Sequence, residues 1–415
     1  MSTVSVIRKK SNLLRPGLTF QFDYWLLLAF AGLLLFGFIM VYSATFDLGN
    51  MAQDQSSYYF MRQLRAGVYG LVAGLILLQF DYHFYRNFSV LGLIVTLALL
   101  LFLLLFGEAI FGARRGLSEG SYQPSEIAKL VTILYIAHWV SSKGDRIRHV
   151  TYGLLPFSIL VGVVCGLIVL QPDLSTALLI AGVSFTLFFV AGADWKQMGI
   201  VGVLGGVISI FLVTWLPHAS NRIISWREAL RDPEMASYQV KEAFVALTNG
   251  GLWGVGLGQG GQKFGYLPAA HTDGIFAVVG EELGLLGSLL IIGLFILLVW
   301  RGLRTAWLAR DTYGAMLALG ITCWLGYQAL INVAVITAVI PFTGIPLPFI
   351  SYGGSSLAIS IVGMAILLNV SRDTRLARNQ IPKPQRMPKS EGIREVVDMR
   401  RRHRWPHISG AGRRD

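Results

Sequence analysis

The sequence predicts an all-α polytopic membrane protein with about ten transmembrane helices, cytoplasmic N- and C-termini, and one long extracytoplasmic loop between helices 7 and 8. Three observations carry this reading. Hydrophobic residues make up 54% of the 415 and charged residues only 14%; mean hydropathy is +0.59, outside the range of soluble domains of this size. Apolar stretches of spanning length recur at approximately 23–44, 65–81, 88–106, 124–141, 152–170, 173–191, 197–216, 274–300, 313–340 and 353–370. With the N-terminus inside, the inside segments carry 25 of the 35 Lys and Arg residues, as the positive-inside rule requires.

That asymmetry also accounts for the net charge of +12. The charge reads as membrane topology, and no nucleic-acid partner is expected. Cys165 and Cys323 both fall in apolar spans, so no disulfide framework is implied. The first span is too long for a signal-peptide core and lacks a convincing cleavage site, so it reads as a retained anchor. Three parts follow: a cytoplasmic N-terminal arm at 1–22, a membrane domain at 23–370, and a basic tail at 371–415. The tail mixes Arg, Lys and Pro with few large apolar residues and reads as disordered and cytoplasmic.

Polar groups cluster on the outer side. Arg114 and Arg115 share the outside loop 107–123. Two adjacent outside arginines run against the topology rule. Either they are exposed loop charges, or they meet an anionic ligand such as phosphate through their planar forks of donors. Gln123-Pro-Ser-Glu-Ile-Ala-Lys129 opens the fourth span, with Pro124 suited to a first helical turn. Glu126 and Lys129 are three apart and share a face. Either they pair with each other, or Lys129 faces a polar cavity and meets a phosphate or a catalytic carboxylate. Asp173 closes a short outside turn, where it either caps the sixth helix or contacts a ligand.

The long loop spans 218–273. Within it, Val240, Phe244 and Leu247 lie at spacings of four and three and predict a short helix with one apolar face. Asn249-Gly250-Gly251 is its stop. The helix is expected to lie on the outer membrane surface or to cap a cavity. Eight glycines follow between 250 and 265. No strand precedes them, so they do not read as a nucleotide loop; they allow close backbone approach.

Asp273 ends this loop beside His271, where the eighth span begins. A carboxylate at the mouth of a membrane helix is costly and points to function. Its residues alone leave two roles open, general base for a hydroxyl nucleophile or helix N-cap. Glu281 and Glu282 lie further into that span and must be protonated or paired. The segment 341–356 holds three prolines and three glycines, which forbid a continuous helix. Irregular backbone at membrane depth belongs against protein or a cavity. The hydroxyls of Ser351, Tyr352, Ser355 and Ser356 can bond a sugar or phosphate there. No cage of His and Cys, no Walker motif and no Ser-His-Asp arrangement is legible, which argues against an ATP-driven role intrinsic to this chain.

Together these segments resemble the SEDS proteins, the FtsW and RodA family. The resemblance rests on Gly112-Ala-Arg-Arg115, Gln123-Pro-Ser-Glu-Ile-Ala-Lys-Leu130, Gln171-Pro-Asp173, Tyr266-Leu-Pro-Ala-Ala-His-Thr-Asp273 with Glu281-Glu-Leu-Gly284, and Pro346-Leu-Pro-Phe-Ile-Ser-Tyr-Gly-Gly-Ser-Ser356. It implies a peptidoglycan glycosyltransferase of the cytoplasmic membrane, using lipid II at the outer face. By resemblance, Asp273 is the catalytic base. Arg114, Arg115, Glu126, Lys129, Asp173, His271, Ser351, Tyr352, Ser355 and Ser356 are the expected substrate-binding residues. A divalent metal, Mg²⁺ or Mn²⁺, is implied in the same way. So are lipid II and the nascent glycan as ligands, a class B penicillin-binding protein and other divisome proteins as partners, and membrane lipid as surroundings.

The pattern departs from the family at Ala269, where glutamate is usual, at Gly274, where Phe or Tyr is usual, and at Ser175, where Gly is usual. The first departure puts in doubt any metal or substrate contact made there. Ser355-Ser356 and the basic tail are most like the division branch, FtsW, with RodA-like elongation as the alternative process. The alternative activities are a lipid II flippase and a non-catalytic divisome scaffold.

Overall fold

A computed structural model describes residues 22–51, 58–106, 123–231, 237–264 and 266–380. Residues Met1–Arg375 group as one compact unit and Leu376–Asp415 as a second. Twelve α-helices follow one another among the described residues: α1 Tyr24–Met51, α2 Tyr58–Gln79, α3 Tyr82–Phe106, α4 Pro124–Lys143, α5 Leu155–Val169, α6 Leu174–Val190, α7 Trp195–Trp215, α8 Pro217–Arg231, α9 Tyr238–Gly250, α10 Ile275–Trp307, α11 Thr312–Ile336 and α12 Gly354–Gln380.

Eight of the described helices are long and apolar enough to cross a membrane: α1, α2, α3, the run Val150–Val169 ending in α5, α7, α10, α11 and α12. The two other expected spans are present as helices that fall short for different reasons. Apolar α6 has 17 residues, about 26 Å at the usual helical rise. In α4 the charges of Glu126 and Lys129 and the ring of His138 dilute the apolar run.

The packing explains which helices hold polar side chains. α11 and α12 are buried over 61% and 67% of their apolar windows, against 6% for α7. α11 packs on α3, α4, α6, α9 and α10, so its polar groups face protein. α7 turns apolar side chains outward along its length, with exposed Trp195 and Trp215 at its ends, as at two membrane interfaces. Helices in lipid gain no hydrophobic drive from each other and rely on close packing. α2 supplies it with Gly67, Gly70 and Gly74 on one buried face; a Cβ on Gly70 would lie 2.9 Å from the Ala358 Cα of α12.

α12 continues beyond 370, where the tail was expected to begin, and Ser371, Arg372 and Asp373 are buried. Partners account for this: Asp373 pairs with Arg310 at 3.4 Å, and Arg372 lies 5.8 Å from the Phe22 ring.

The loop 218–273 contains two helices. α9 runs as expected and ends at Gly251, φ 53°; α8 was not expected. The eighth span is not one helix either. α10 is broken at Gly284, φ 68° and ψ −166°, and the glycine-rich segment fills the break. Val255 and Gly256 donate to the carbonyls of Glu281 and Glu282 at 3.0 and 3.1 Å, while Leu285 and Leu286 donate to Gly251 and Leu252 at 2.9 and 3.3 Å. A Cβ at Gly254, φ 78°, would collide with the Glu282 carbonyl. This is the close approach for which the glycines were read. It satisfies the backbone groups that a break in a membrane helix frees.

Candidate active site

A cavity of about 550 Å³ opens among the ends of α2, α4, α6, α10 and α12 and is large enough for part of a sizeable ligand. Asp273, Asp173, Glu126 and Lys129 line it, with Tyr352, Ser355 and Ser356 from the segment before and at the start of α12. Residues separated by more than 200 positions thus meet in one place.

Each wall is fixed by buried polar contacts. Lys129 lies 2.7 Å from Glu126 Oε2 and donates to Gln328 Oε1 at 3.1 Å. Lys129 thus pairs with Glu126, and the pair lines the cavity. Gln328 also donates to the Pro346 carbonyl at 2.9 Å, so α11 ties α4 to the irregular 341–353 segment. Asp173 caps α6 by accepting from the Thr176 amide at 3.2 Å and still lines the cavity. Ser175 donates to the Thr343 carbonyl at 2.7 Å, which gives this departure from the family pattern a wall contact.

Asp273 is not the N-cap of α10, which is Gly274. Its carboxylate accepts from Thr272 Oγ1 at 2.9 Å, and its carbonyl accepts from Asn332 Nδ2 at 2.9 Å. Burial pushes the Asp273 carboxyl above the ordinary carboxylate range; the Thr272 hydrogen bond and the positive charge of Arg222 oppose the shift without cancelling it. A raised carboxyl in a cavity is a stronger proton acceptor once ionised, which suits a base.

His271 does not line the cavity. It packs in an aromatic trio with Tyr59 and Tyr352, ring centroids 5.6 and 5.5 Å away. Burial lowers its proton affinity. Ser351 turns into its own loop and accepts from the Leu347 amide at 2.7 Å. Ser355 Oγ accepts from the Gln123 amide at 3.4 Å, joining α12 to α4. Arg114 and Arg115 lie outside the described residues.

Sequence reasoning missed Arg62, Thr272 and Thr343 in the lining, and Gln328 and Asn332 behind it. The last two carried a legible signal, being amides inside the apolar run of α11. Among the described residues no three His, Cys, Asp or Glu side chains group as a metal cage. Asp273 and Asp173 both line the cavity, and one or two carboxylates are what a hard divalent cation takes from protein when other oxygens complete its shell.

The family profile described as "Cell cycle protein", covering FtsW, RodA and SpoVE, matches residues 24–376. A protein of Trichlorobacter lovleyi named "Probable peptidoglycan glycosyltransferase FtsW" is 38% identical over 361 residues, 86% of this chain and 95% of the relative. "Stage V sporulation protein E" of Bacillus subtilis is 39% identical over 347 residues, 83% and 95% of the two chains. Among solved structures, a chain of "Structural coordination of polymerization and crosslinking by a peptidoglycan synthase complex" superposes with a TM-score of 0.69 at 28% identity, covering 85% of this chain and 98% of that one.

Proposed function

The chain belongs to the FtsW, RodA and SpoVE family of multi-pass membrane proteins, and from that premise we propose that it polymerises peptidoglycan glycan strands from lipid II during cell division. The carrying observation is the cavity that gathers Asp273, Asp173 and the Glu126–Lys129 pair. Relatives named as FtsW glycosyltransferases support the reaction class and the process.

In this reading the cavity faces outward and takes the sugar and diphosphate of the lipid-linked donor. Asp273 accepts the proton of the incoming GlcNAc 4-hydroxyl as its oxygen attacks the MurNAc anomeric carbon. The bond to the diphosphate breaks with inversion, and undecaprenyl pyrophosphate leaves. An inverting displacement needs the base on the face opposite the leaving group. Lys129, held by Glu126 and Gln328, sets a fixed positive charge in the wall, and Arg62 brings a second to the lining. A divalent ion held by Asp173 would supply charge stabilisation to the leaving diphosphate. Tyr352, Ser355 and Thr343 offer hydroxyls that orient the sugar. The partner in this account is a class B penicillin-binding protein, which crosslinks the strands; the synthase complex with a similar fold couples polymerization and crosslinking.

The test is conversion of labelled lipid II by the purified protein with its transpeptidase partner and Mg²⁺ or Mn²⁺. Glycan chains are expected. An intact complex that binds lipid II without extending it would replace polymerisation with translocation or a scaffolding role.

A further inference from the structure

The break in α10 isolates a two-turn half-helix, 275–283, directly after Asp273. Both its ends are tethered. On the Asp273 side, Asn332 donates to the Asp273 carbonyl at 2.9 Å, and the Tyr352 amide donates to the His271 carbonyl at 2.8 Å. At the far end, Glu281 accepts from the amides of Gly261 and Gln262 at 3.0 and 3.2 Å. Glu282 accepts from Lys263 Nζ at 2.7 Å, and both its oxygens lie 2.7 Å from Ser43 Oγ of α1. Lys263 in turn donates to Ser43 at 3.1 Å. Lys263 and Glu282 are 6% and 1% exposed, and neither lines the cavity.

A buried ion pair is weak evidence for stability, because desolvation of both charges offsets their attraction; its best-attested use is to fix one arrangement among competitors. Here the competitor is obvious. The half-helix has lost its continuity with Leu285–Trp307, so hydrogen bonds alone leave its tilt and rotation to the glycine-rich segment. A charge pair with a hydroxyl between its members admits few orientations. The half-helix is only nine residues long, so any tilt at Glu282 reaches the Asp273 turn.

We propose that Lys263 and Glu282 are a positioning pair, which holds the half-helix so that the Asp273 carboxylate meets the acceptor hydroxyl. This inference rests on the reading of Asp273 as the base. The pair touches no substrate; it acts through the backbone of 275–283.

The experiment replaces both charges at once, Lys263→Met with Glu282→Leu, so that no single charge is left buried alone. A second variant exchanges them, Lys263→Glu with Glu282→Lys. Each is measured with its transpeptidase partner for lipid II polymerisation and for thermal unfolding in detergent, beside Lys263→Arg and Asp273→Asn. The apolar double variant is expected to unfold at or above the wild-type temperature and to keep its KM for lipid II. Its kcat is expected to fall about tenfold to a hundredfold, the scale of a small misplacement of a reacting group. Lys263→Arg should retain kcat, and the exchanged pair should recover part of it. Wild-type kcat in the apolar double variant would overturn the proposal and leave the pair merely structural, as would an exchanged pair no better than the apolar one. Activity in Asp273→Asn would instead sink the reading of the base, and the positioning role with it. A dead Asp273→Asn beside a fully active apolar variant separates the two failures.

Discussion

The Asn332 side-chain amide bridges two segments of the site, donating to the Asp273 carbonyl at 2.9 Å and to the Ile345 carbonyl at 2.8 Å. One buried side chain on α11 thus sets the distance between the turn that carries the carboxylate and the adjoining wall segment. Asn332→Leu keeps the volume and strands both carbonyls, at about 1–3 kcal/mol for each buried group left unsatisfied. Lower thermal stability together with a reduced kcat is expected; unfolding temperature and polymerisation rate measured on the same preparation check it.

Lys129 and Glu126 form a pair buried to 3% and 5% side-chain exposure. Lys129→Met alone leaves a carboxylate in the wall without its cation. Breaking a buried pair costs roughly 3–5 kcal/mol, whereas removing both charges costs much less. The single variant should therefore unfold well below Lys129→Met with Glu126→Gln. Equal unfolding temperatures for the two would show that the pair does not hold the wall.

The reaction rate should follow the ionisation of Asp273. A carboxylate base works deprotonated, and burial places the Asp273 titration above the ordinary value of 3.8. Activity is then lost as pH falls through a point above that value. Arg222→Gln removes the opposing positive charge, favours the protonated form and moves the acid limb to higher pH. A limb at the ordinary carboxylate position in wild type, or one unmoved in Arg222→Gln, contradicts this assignment.

Gly284 sits at φ 68°, and a Cβ there would press on the Gly254 amide at the seam between the break and its filler. Gly284→Ala should cost about 1–3 kcal/mol as backbone strain, with further loss if Gly254 is displaced. Hydrogen exchange at the Val255 and Gly256 amides reports it directly. Faster exchange is the expected outcome, and unchanged protection would mean that the seam absorbs the methyl group.

The sequence made some of this legible and hid the rest for physical reasons. The helical class and α9 with its glycine stop follow from periodicity, and Asp273, which lines the cavity, stands out as a polar residue in apolar surroundings; these are local signals. The α10 break was invisible because Glu281-Glu-Leu-Gly284 reads as continuous helix until the segment that fills the gap is seen. The Lys263–Glu282–Ser43 cluster joins residues up to 239 positions apart, and nothing local in Lys263 distinguishes a buried partner from a loop charge. The aromatic trio that the His271 ring completes across three segments is a tertiary feature with no local signal. α8 was overlooked inside a polar loop, although Trp226 anchors it by donating to the Ala338 carbonyl at 2.9 Å.

The central claim is tested most directly by one comparison: polymerisation of labelled lipid II by wild type and by Asp273→Asn, each purified with its transpeptidase partner in the presence of Mg²⁺ or Mn²⁺. Asparagine keeps the shape and removes the base. The account predicts glycan chains from wild type and none from a folded Asp273→Asn protein that still binds lipid II. Equal product from both would contradict it.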